Sequence, residues 1–408
     1  MERPRLFVAA ARLPVALTQR HDGWTVEPSP GGLVTALRLV ADRRGFTWIG
    51  WPGAAVPDSE RESVRAVLQE GGHVPVFIPP HHIDGFHRVY SSQTLWPLLH
   101  DRIDRVRLQV DGWRAYQAVN EQFADVIARS LQPGDIVWIH DYQLMLVPAM
   151  LRDRGIDNPI GFFLHVPFPA AETFRYLPQR EQILQGILAS DVVAFQSHEY
   201  ASHFREASTR LVGARMHGAK LRFGARQVDV AALPIGIDAQ EMRQMAESRD
   251  ARQEQASLQT TYAGRHIVLG VDRFDYTKGL VEKLQAFELL LERYPRWRQR
   301  AVLVQVAAPS RMGVDEYQQL KREVDELVGR INGRYGTSSF TPVVYVHQSI
   351  SRERLTGLFR AADIALVTPV RDGFNLVALE YIAARADRGG TLIRSEEHTS
   401  ELQSRYVI

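Results

Sequence analysis

Ile364-Ala365-Leu366-Val367, followed by Arg371-Asp372-Gly373-Phe374-Asn375-Leu376-Val377-Ala378-Leu379-Glu380-Tyr381-Ile382, decides the fold. The apolar run predicts a buried strand and Leu376 onward predicts a helix. Between them Gly373 lets backbone approach a ligand closely, and the N–H groups of the helix start face any anion placed there. The helix dipole contributes only about 0.3–1 kcal/mol, too little to hold a doubly charged group alone. Cationic side chains should therefore converge from elsewhere. Arg273 and Lys278, in Val271-Asp272-Arg273-Phe274-Asp275-Tyr276-Thr277-Lys278-Gly279, are the candidates, and charge-assisted bonds add roughly 1.5–3 kcal/mol each. The pattern suits a diphosphate with a sugar attached.

Working outward, short apolar runs recur at residues 6–11, 46–51, 136–139, 160–166, 192–195, 228–233, 266–271, 301–306, 343–346 and 364–367. Most are apolar on both alternating faces, as strands covered by helices are. Residues 113–130 and 281–294 carry helical spacing. The expectation is an α/β fold with parallel sheets, in which ligands sit at the carboxyl ends of strands. Those ends carry Arg12, His140-Asp141, His165, Arg273, Ser310-Arg311 and Arg371-Asp372. The polar stretch 238–265 has no buried-strand signal, so the boundary falls there. The expected domains are residues 1–240 and 241–393, with the active crevice between them.

Composition narrows the function classes. Hydrophobic residues are 45% and charged residues 24% of 408, enough core for two or three domains and too apolar for global disorder. Lys and Arg number 49 against 47 Asp and Glu, and their interspersion argues against a nucleic-acid binder. Cysteine is absent, so no disulfide, thiolate zinc site or thiol nucleophile is possible, as suits a reducing cytoplasm. No apolar stretch is long enough to cross a bilayer. The N-terminal run reads as a first strand rather than a signal peptide, because Arg12 ends it early. His81-His82 has no carboxylate or third histidine at ligand spacing, so no metal site is expected.

Trp138-Ile139-His140-Asp141-Tyr142, Gly161-Phe162-Phe163-Leu164-His165-Val166-Pro167-Phe168-Pro169 and Pro234-Ile235-Gly236-Ile237 add to the 272–279 and 368–380 segments. With Gly329-Arg330-Ile331-Asn332-Gly333-Arg334-Tyr335-Gly336, their order and spacing resemble the trehalose-6-phosphate synthase family, retaining glycosyltransferases of family 20. The resemblance runs from about residue 6 to residue 392. It implies the GT-B architecture: α/β, with two Rossmann-like domains facing across a cleft. It implies transfer of glucose from a nucleotide donor, UDP-glucose, to glucose 6-phosphate, forming trehalose 6-phosphate with anomeric configuration kept. No metal and no cofactor are implied. Arg273 and Lys278 would bind the donor diphosphate, where negative charge grows as the bond breaks. Gly32, Asn375, Leu376 and Val377 would cradle the donor, with Glu380 on the ribose. Asp372 and His165 would hold donor glucose hydroxyls. Asp141 would bind the acceptor sugar, and Arg12, His87, Trp96 and Arg311 would surround its phosphate. The implied partners are these two substrates and further copies of the chain, with no nucleic acid and no membrane.

Each residue also has a plainer reading. His165 could be a satisfied core histidine, Asp141 a helix cap, Gly31-Gly32 a turn, Trp96 core and 329–336 scaffold. The acceptor half departs from the family pattern. Ala10-Ala11 stand in place of Ser-Asn, His87 in place of tyrosine and Ser92 in place of asparagine. These changes leave glycerol 3-phosphate as an alternative acceptor, as in glucosylglycerol-phosphate synthases. A non-catalytic sugar-phosphate sensor is a second alternative, opposed by Arg273, Lys278, Asp372 and Glu380. After Leu392-Ile393 the resemblance is expected to stop. Arg394-Ser395-Glu396-Glu397-His398-Thr399-Ser400-Glu401-Leu402-Gln403-Ser404 is what a common sequencing-adapter read encodes. Residues 394–408 are therefore expected to be a non-native tail. The second domain would be incomplete, its last strand edge exposed, and the chain poorly stable and inactive.

Overall fold

Alternating strands and helices, the pattern that places strands in parallel, are what a computed structural model of the protein contains; it describes residues 3–20, 23–29, 31–309 and 315–395. The chain divides into two units, Met1–Ile235 and Gly236–Ile408.

The first unit holds β1 (Leu6–Arg12), β2 (Val15–Arg20), β3 (Gly23–Pro28), β4 (Thr47–Trp51), β5 (His73–Pro75), β6 (Ile136–His140), β7 (Ile160–Leu164), β8 (Val192–Phe195), β9 (Arg215–His217), β10 (Lys220–Phe223) and β11 (Arg226–Ala232). The large sheet has the order β5-β4-β1-β6-β7-β8-β11-β10-β9. It is parallel from β5 to β11 and antiparallel at β10 and β9. β2 and β3 form a separate hairpin. Strand order reverses between β1 and β6, where such sheets place ligands, and Arg12 and Asp141 stand at those two ends. Val8, Ile49, Val137, Ile139, Val193 and Phe195 are fully buried. The helix Val110–Ser130 buries Tyr116, Val119, Phe123 and Ile127, the one-sided spacing that made it legible.

The second unit holds β12 (His266–Arg273), β13 (Ala301–Ala308), β14 (Val343–Val346), β15 (Ile364–Val367) and β16 (Thr391–Arg394). Their order is β14-β13-β12-β15-β16, all parallel, and it reverses between β12 and β15. The polar stretch 238–265 belongs to this unit. Asp238 Oδ1 caps the helix Ala239–Ala246, accepting the N–H groups of Gln240 and Glu241 at 2.9 Å each. Ser248 caps Arg249–Thr261. Met242, Ala246 and Ala251 are buried, while Glu241 and Glu254 pair with Arg352 and Arg354. Few buried positions in two capped helices explain the missing strand signal. The 329–336 segment closes the helix Asp315–Tyr335. There the Asn332 amide exchanges two hydrogen bonds with the Val343 backbone (3.0 and 2.9 Å), and Arg330 pairs with Glu288 at 2.6 Å. That is scaffold chemistry. β16 runs through Arg394, opposite Val367, and among the described residues it pairs with β15 alone. Residues 396–408, most of the expected tail, lie outside the described residues.

Candidate functional site

In the second unit the segments leaving β12 and β15 are stitched together. The Val370 N–H donates to Thr277 O at 2.8 Å. Gly279, at φ 65°, passes so close that a Cβ there would sit 2.3 Å from Thr368 O, so only glycine fits. Asp275 fixes the preceding turn, accepting the Thr277 N–H and hydroxyl at 3.0 Å each. Lys278 is thereby aimed at Asp372, and the two form an ion pair with side chains only 10% and 11% exposed. Asp372 Oδ1 also accepts the Gly373 N–H at 2.9 Å, and its other oxygen accepts from Asn375 Nδ2 at 3.3 Å. Asn375 Oδ1 caps the helix Leu376–Ala384 through the Val377 N–H at 3.1 Å. Arg273 is exposed at the end of β12. Beneath it Asp272 receives Lys283 at 2.5 Å and Gln305 Nε2 at 2.9 Å, with Lys283 and Asp272 essentially inaccessible. Burial raises the Glu380 carboxyl above its ordinary range, and the Arg352 charge opposes that shift.

The first unit assembles its groups from rings. The Arg12 guanidinium lies 4.7 Å over the Trp51 ring, and His87 packs on Trp51 at 4.9 Å with the rings tilted by 36°. Gly53, at φ 88°, makes room, since a Cβ there would meet the Arg12 guanidinium at 2.3 Å. Burial draws the Arg12 pKa down from its ordinary value. His87 sits in a π-helix, Gly85–Leu95, a rare geometry often found at functional sites. There the Ser92 hydroxyl donates to His87 O at 2.8 Å. Trp96, which the resemblance places beside the acceptor phosphate, is 4% exposed, its ring against His100 at 4.1 Å and Tyr142 at 5.8 Å. Gly32 opens the helix Gly32–Arg44, whose N terminus has no side-chain cap. Arg311 lies outside the described residues.

Asp141 does not cap the short turn Tyr142–Leu144 that follows it; its Oδ1 accepts the His165 backbone N–H at 3.2 Å. Its backbone, at φ 74° and ψ 168°, lies in a region essentially reserved for glycine and costs about 1–3 kcal/mol. His165 is engaged at both ring nitrogens, by Gln196 Nε2 at 3.3 Å and by His140 Nδ1 at 2.9 Å. Burial lowers its pKa to about 3. Burial, then the neighbouring His165, holds His140 well below its ordinary value. A hydroxyl ligand would have to share or displace one of these bonds. Sequence reasoning missed Trp51 and Gln196. Both stand at carboxyl ends of strands, Trp51 closing β4 and Gln196 just after β8, so the strand-end rule could have found them.

A cation pair, an acid and a capped helix start at the reversal point of a parallel sheet suit an anionic, sugar-bearing leaving group. Fold and site together define a glycosyltransferase of the GT-B class. The family model described as Glycosyltransferase family 20 matches residues 4–405, and the chain belongs to that family. The match continues past Ile393, where the resemblance was expected to stop. An α,α-trehalose-phosphate synthase (UDP-forming) A from Dictyostelium discoideum is 41% identical over 400 residues, 96% of this chain and 54% of the relative. The chain thus spans about half the length of that curated relative. Among solved structures, the E. coli trehalose-6-phosphate protein bound with UDP-2-fluoro glucose aligns with TM-score 0.85 and 32% identity, covering 96% of this chain and 84% of that one. An α,α-trehalose-phosphate synthase (UDP-forming) from Burkholderia xenovorans in complex with glucose-6-phosphate gives TM-score 0.85 and 30% identity, over 96% and 85%. Among the described residues no helix is long and apolar enough to cross a membrane.

Proposed function

We propose that the chain transfers glucose from UDP-glucose to glucose 6-phosphate in the cytoplasm, releasing UDP and trehalose 6-phosphate with anomeric configuration kept. The observation that carries this reading is the buried Lys278–Asp372 pair beside the Asn375-capped helix, with Arg273 at the neighbouring strand end. The donor diphosphate draws Lys278 from Asp372 and leaves Asp372 for glucose hydroxyls. Arg273 and Lys278 take up the negative charge that grows as the anomeric carbon–oxygen bond to phosphate breaks. The new bond forms to the acceptor hydroxyl, whose proton passes to the leaving phosphate. No side-chain nucleophile is required, so the carboxylate-spacing rule of glycosidases has no application to Asp141 and Asp372. Arg12 and His87, both against Trp51, are assigned to the acceptor phosphate and Asp141 to its sugar. Gly32, Leu376 and Val377 are assigned to the donor phosphates, Glu380 to the ribose and His165 to the donor sugar. Solved relatives holding UDP-2-fluoro glucose and glucose-6-phosphate support both substrates.

The test is UDP release from UDP-glucose, with the Dictyostelium relative run alongside as a control. Release with glucose 6-phosphate is expected, in place of the inactivity read from an incomplete second domain, because the family match runs on to residue 405. Release only with glycerol 3-phosphate overturns the acceptor, and none with either, while the control turns over, overturns the enzymatic reading of this chain.

A further inference from the structure

Arg293-Tyr294-Pro295-Arg296-Trp297-Arg298-Gln299-Arg300, which joins the helix Leu280–Arg293 to β13, carries four cations and no acid. Arg265, the residue before β12, belongs with them, because its Nε donates to Gln299 O at 3.0 Å. All but the half-buried Arg265 are exposed. They stand at the amino ends of β12 and β13, which run side by side with His266 opposite Ala301. Arg273, assigned to the donor, stands at the opposite end of β12.

Elsewhere in this unit Arg330, Arg334, Arg352, Arg354 and Arg360 all sit on carboxylates. Among the described residues, no carboxylate lies within ion-pair distance of Arg265, Arg293, Arg296, Arg298 or Arg300. The two acids at the margin are committed. Glu292 pairs with Arg334 at 3.0 Å, and Asp363 accepts the Ile267 N–H at 3.0 Å and lies 3.9 Å from His266. Such a cluster repels itself, and a partner bringing negative charge relieves the repulsion.

The surface is also set before any partner arrives. Backbone bonds close the turn, from the Trp297 N–H to Tyr294 O (2.9 Å), Arg298 N–H to Pro295 O (3.1 Å) and Arg300 N–H to Trp297 O (3.0 Å). Trp297 packs edge-on against His266 at 5.4 Å. Arg298 donates to Leu291 O at 2.8 Å and lies 5.3 Å from the Tyr335 ring centre. Groups held in this way lose less freedom on binding. Beside them Leu289 and Tyr294 are 42% and 51% exposed, and Leu289 shares a helix face with Arg293, four residues on.

We infer that this surface docks an acidic segment of another protein, with its carboxylates on the arginines and an apolar side chain against Leu289 and Tyr294. Every cation here is an arginine, whose planar fork takes a carboxylate through two bonds. A single-stranded nucleic acid needs a row of open aromatic faces for its bases, whereas Trp297 is partly covered and Tyr294 stands alone in the segment. A membrane surface needs an apolar face to enter the headgroup layer, which a segment half made of arginine does not offer.

The test uses the 408-residue chain and a fluorescein-labelled peptide of glutamates around one leucine. Binding is expected to saturate, to weaken as salt rises and to persist in excess UDP. Arg296→Glu combined with Arg300→Glu should weaken it about hundredfold. The same charge change at exposed positions of the first unit, Arg215→Glu with Arg222→Glu, should leave it intact. Lack of saturation, displacement by UDP, equal loss with both pairs, or tighter binding of oligouridylate or phosphatidylserine vesicles would each overturn the inference. Should the first variant fail to melt cooperatively, phenylglyoxal labelling of the unsubstituted chain decides. Bound peptide should shield Arg293, Arg296 and Arg300, and unchanged labelling of all three overturns the inference.

Discussion

The two units position their functional groups by opposite means. At the ends of β12 and β15, charge answers charge, with Lys278 on Asp372 and Lys283 on Asp272, all four side chains largely withdrawn from water. At the ends of β1, β4 and β6, rings and neutral groups do the positioning. Arg12 rests on Trp51, His87 packs tilted against the same indole, and two uncharged histidines are chained to Gln196. The first arrangement is stiff and sensitive to loss of one partner. The second is softer, since ring contacts tolerate small shifts and no buried charge is stranded when a member changes. A site for a multiply charged diphosphate needs the first kind, and one for a sugar with a single phosphate works with the second.

Breaking the charged half should cost most. Lys283→Met strands the Asp272 carboxylate and should destabilise the second unit by about 3–5 kcal/mol, read as a lower urea midpoint. Adding Asp272→Leu should restore most of that loss, because replacing both partners removes the buried charge. Lys278→Ala should lower the rate of UDP release by about 10²–10³-fold in steady-state assays. The neutral half is sharpened by pH. Unfolded histidines titrate near 6.5, whereas folded His165 lies at about 3 and His140 well below its ordinary value. The unfolded chain therefore takes up these protons first. The stability tied to the two rings is complete above about pH 6.5 and drains as pH falls towards 3, by at most ~1.4 kcal/mol per unit per ring. Urea midpoints between about pH 7 and pH 4 should show the decline, and His140→Phe should flatten it. The smallest effect is expected from Arg12→Lys, which keeps the charge but loses the planar stack on Trp51. It should raise the KM for glucose 6-phosphate about tenfold with little change in kcat.

The same contrast explains what could be read from the sequence. The donor-side groups lie in two short segments, 272–279 and 368–380, each a strand exit leading into a helix. Strand pattern, glycine and cation sit within a few residues there, and all ten expected strands form, with ends shifted by up to two residues. The ring cluster joins residues 12, 51, 53 and 87 through tertiary packing, so the only local signal for Trp51 was its place at the carboxyl end of β4. The hairpin of β2 and β3 alternates polar and apolar side chains weakly, β5 and β9 are three residues long, and β16 is a half-exposed edge. Such segments bury too little apolar surface to mark themselves. Trp96 fits two readings at once: the family position implies a ligand contact, the plainer expectation for an indole beside Pro97 is core, and burial in this unit is compatible with both.

Asp141 sets the preferences of the backbone against those of the chemistry. The residue most at ease at φ 74° and ψ 168° is glycine, and glycine is also the residue that removes the carboxylate assigned to the acceptor sugar. A library selected for heat resistance alone should therefore drift towards glycine at this position and yield proteins that are robust and idle. A library selected for turnover should return to aspartate at every round and accept the lower melting point.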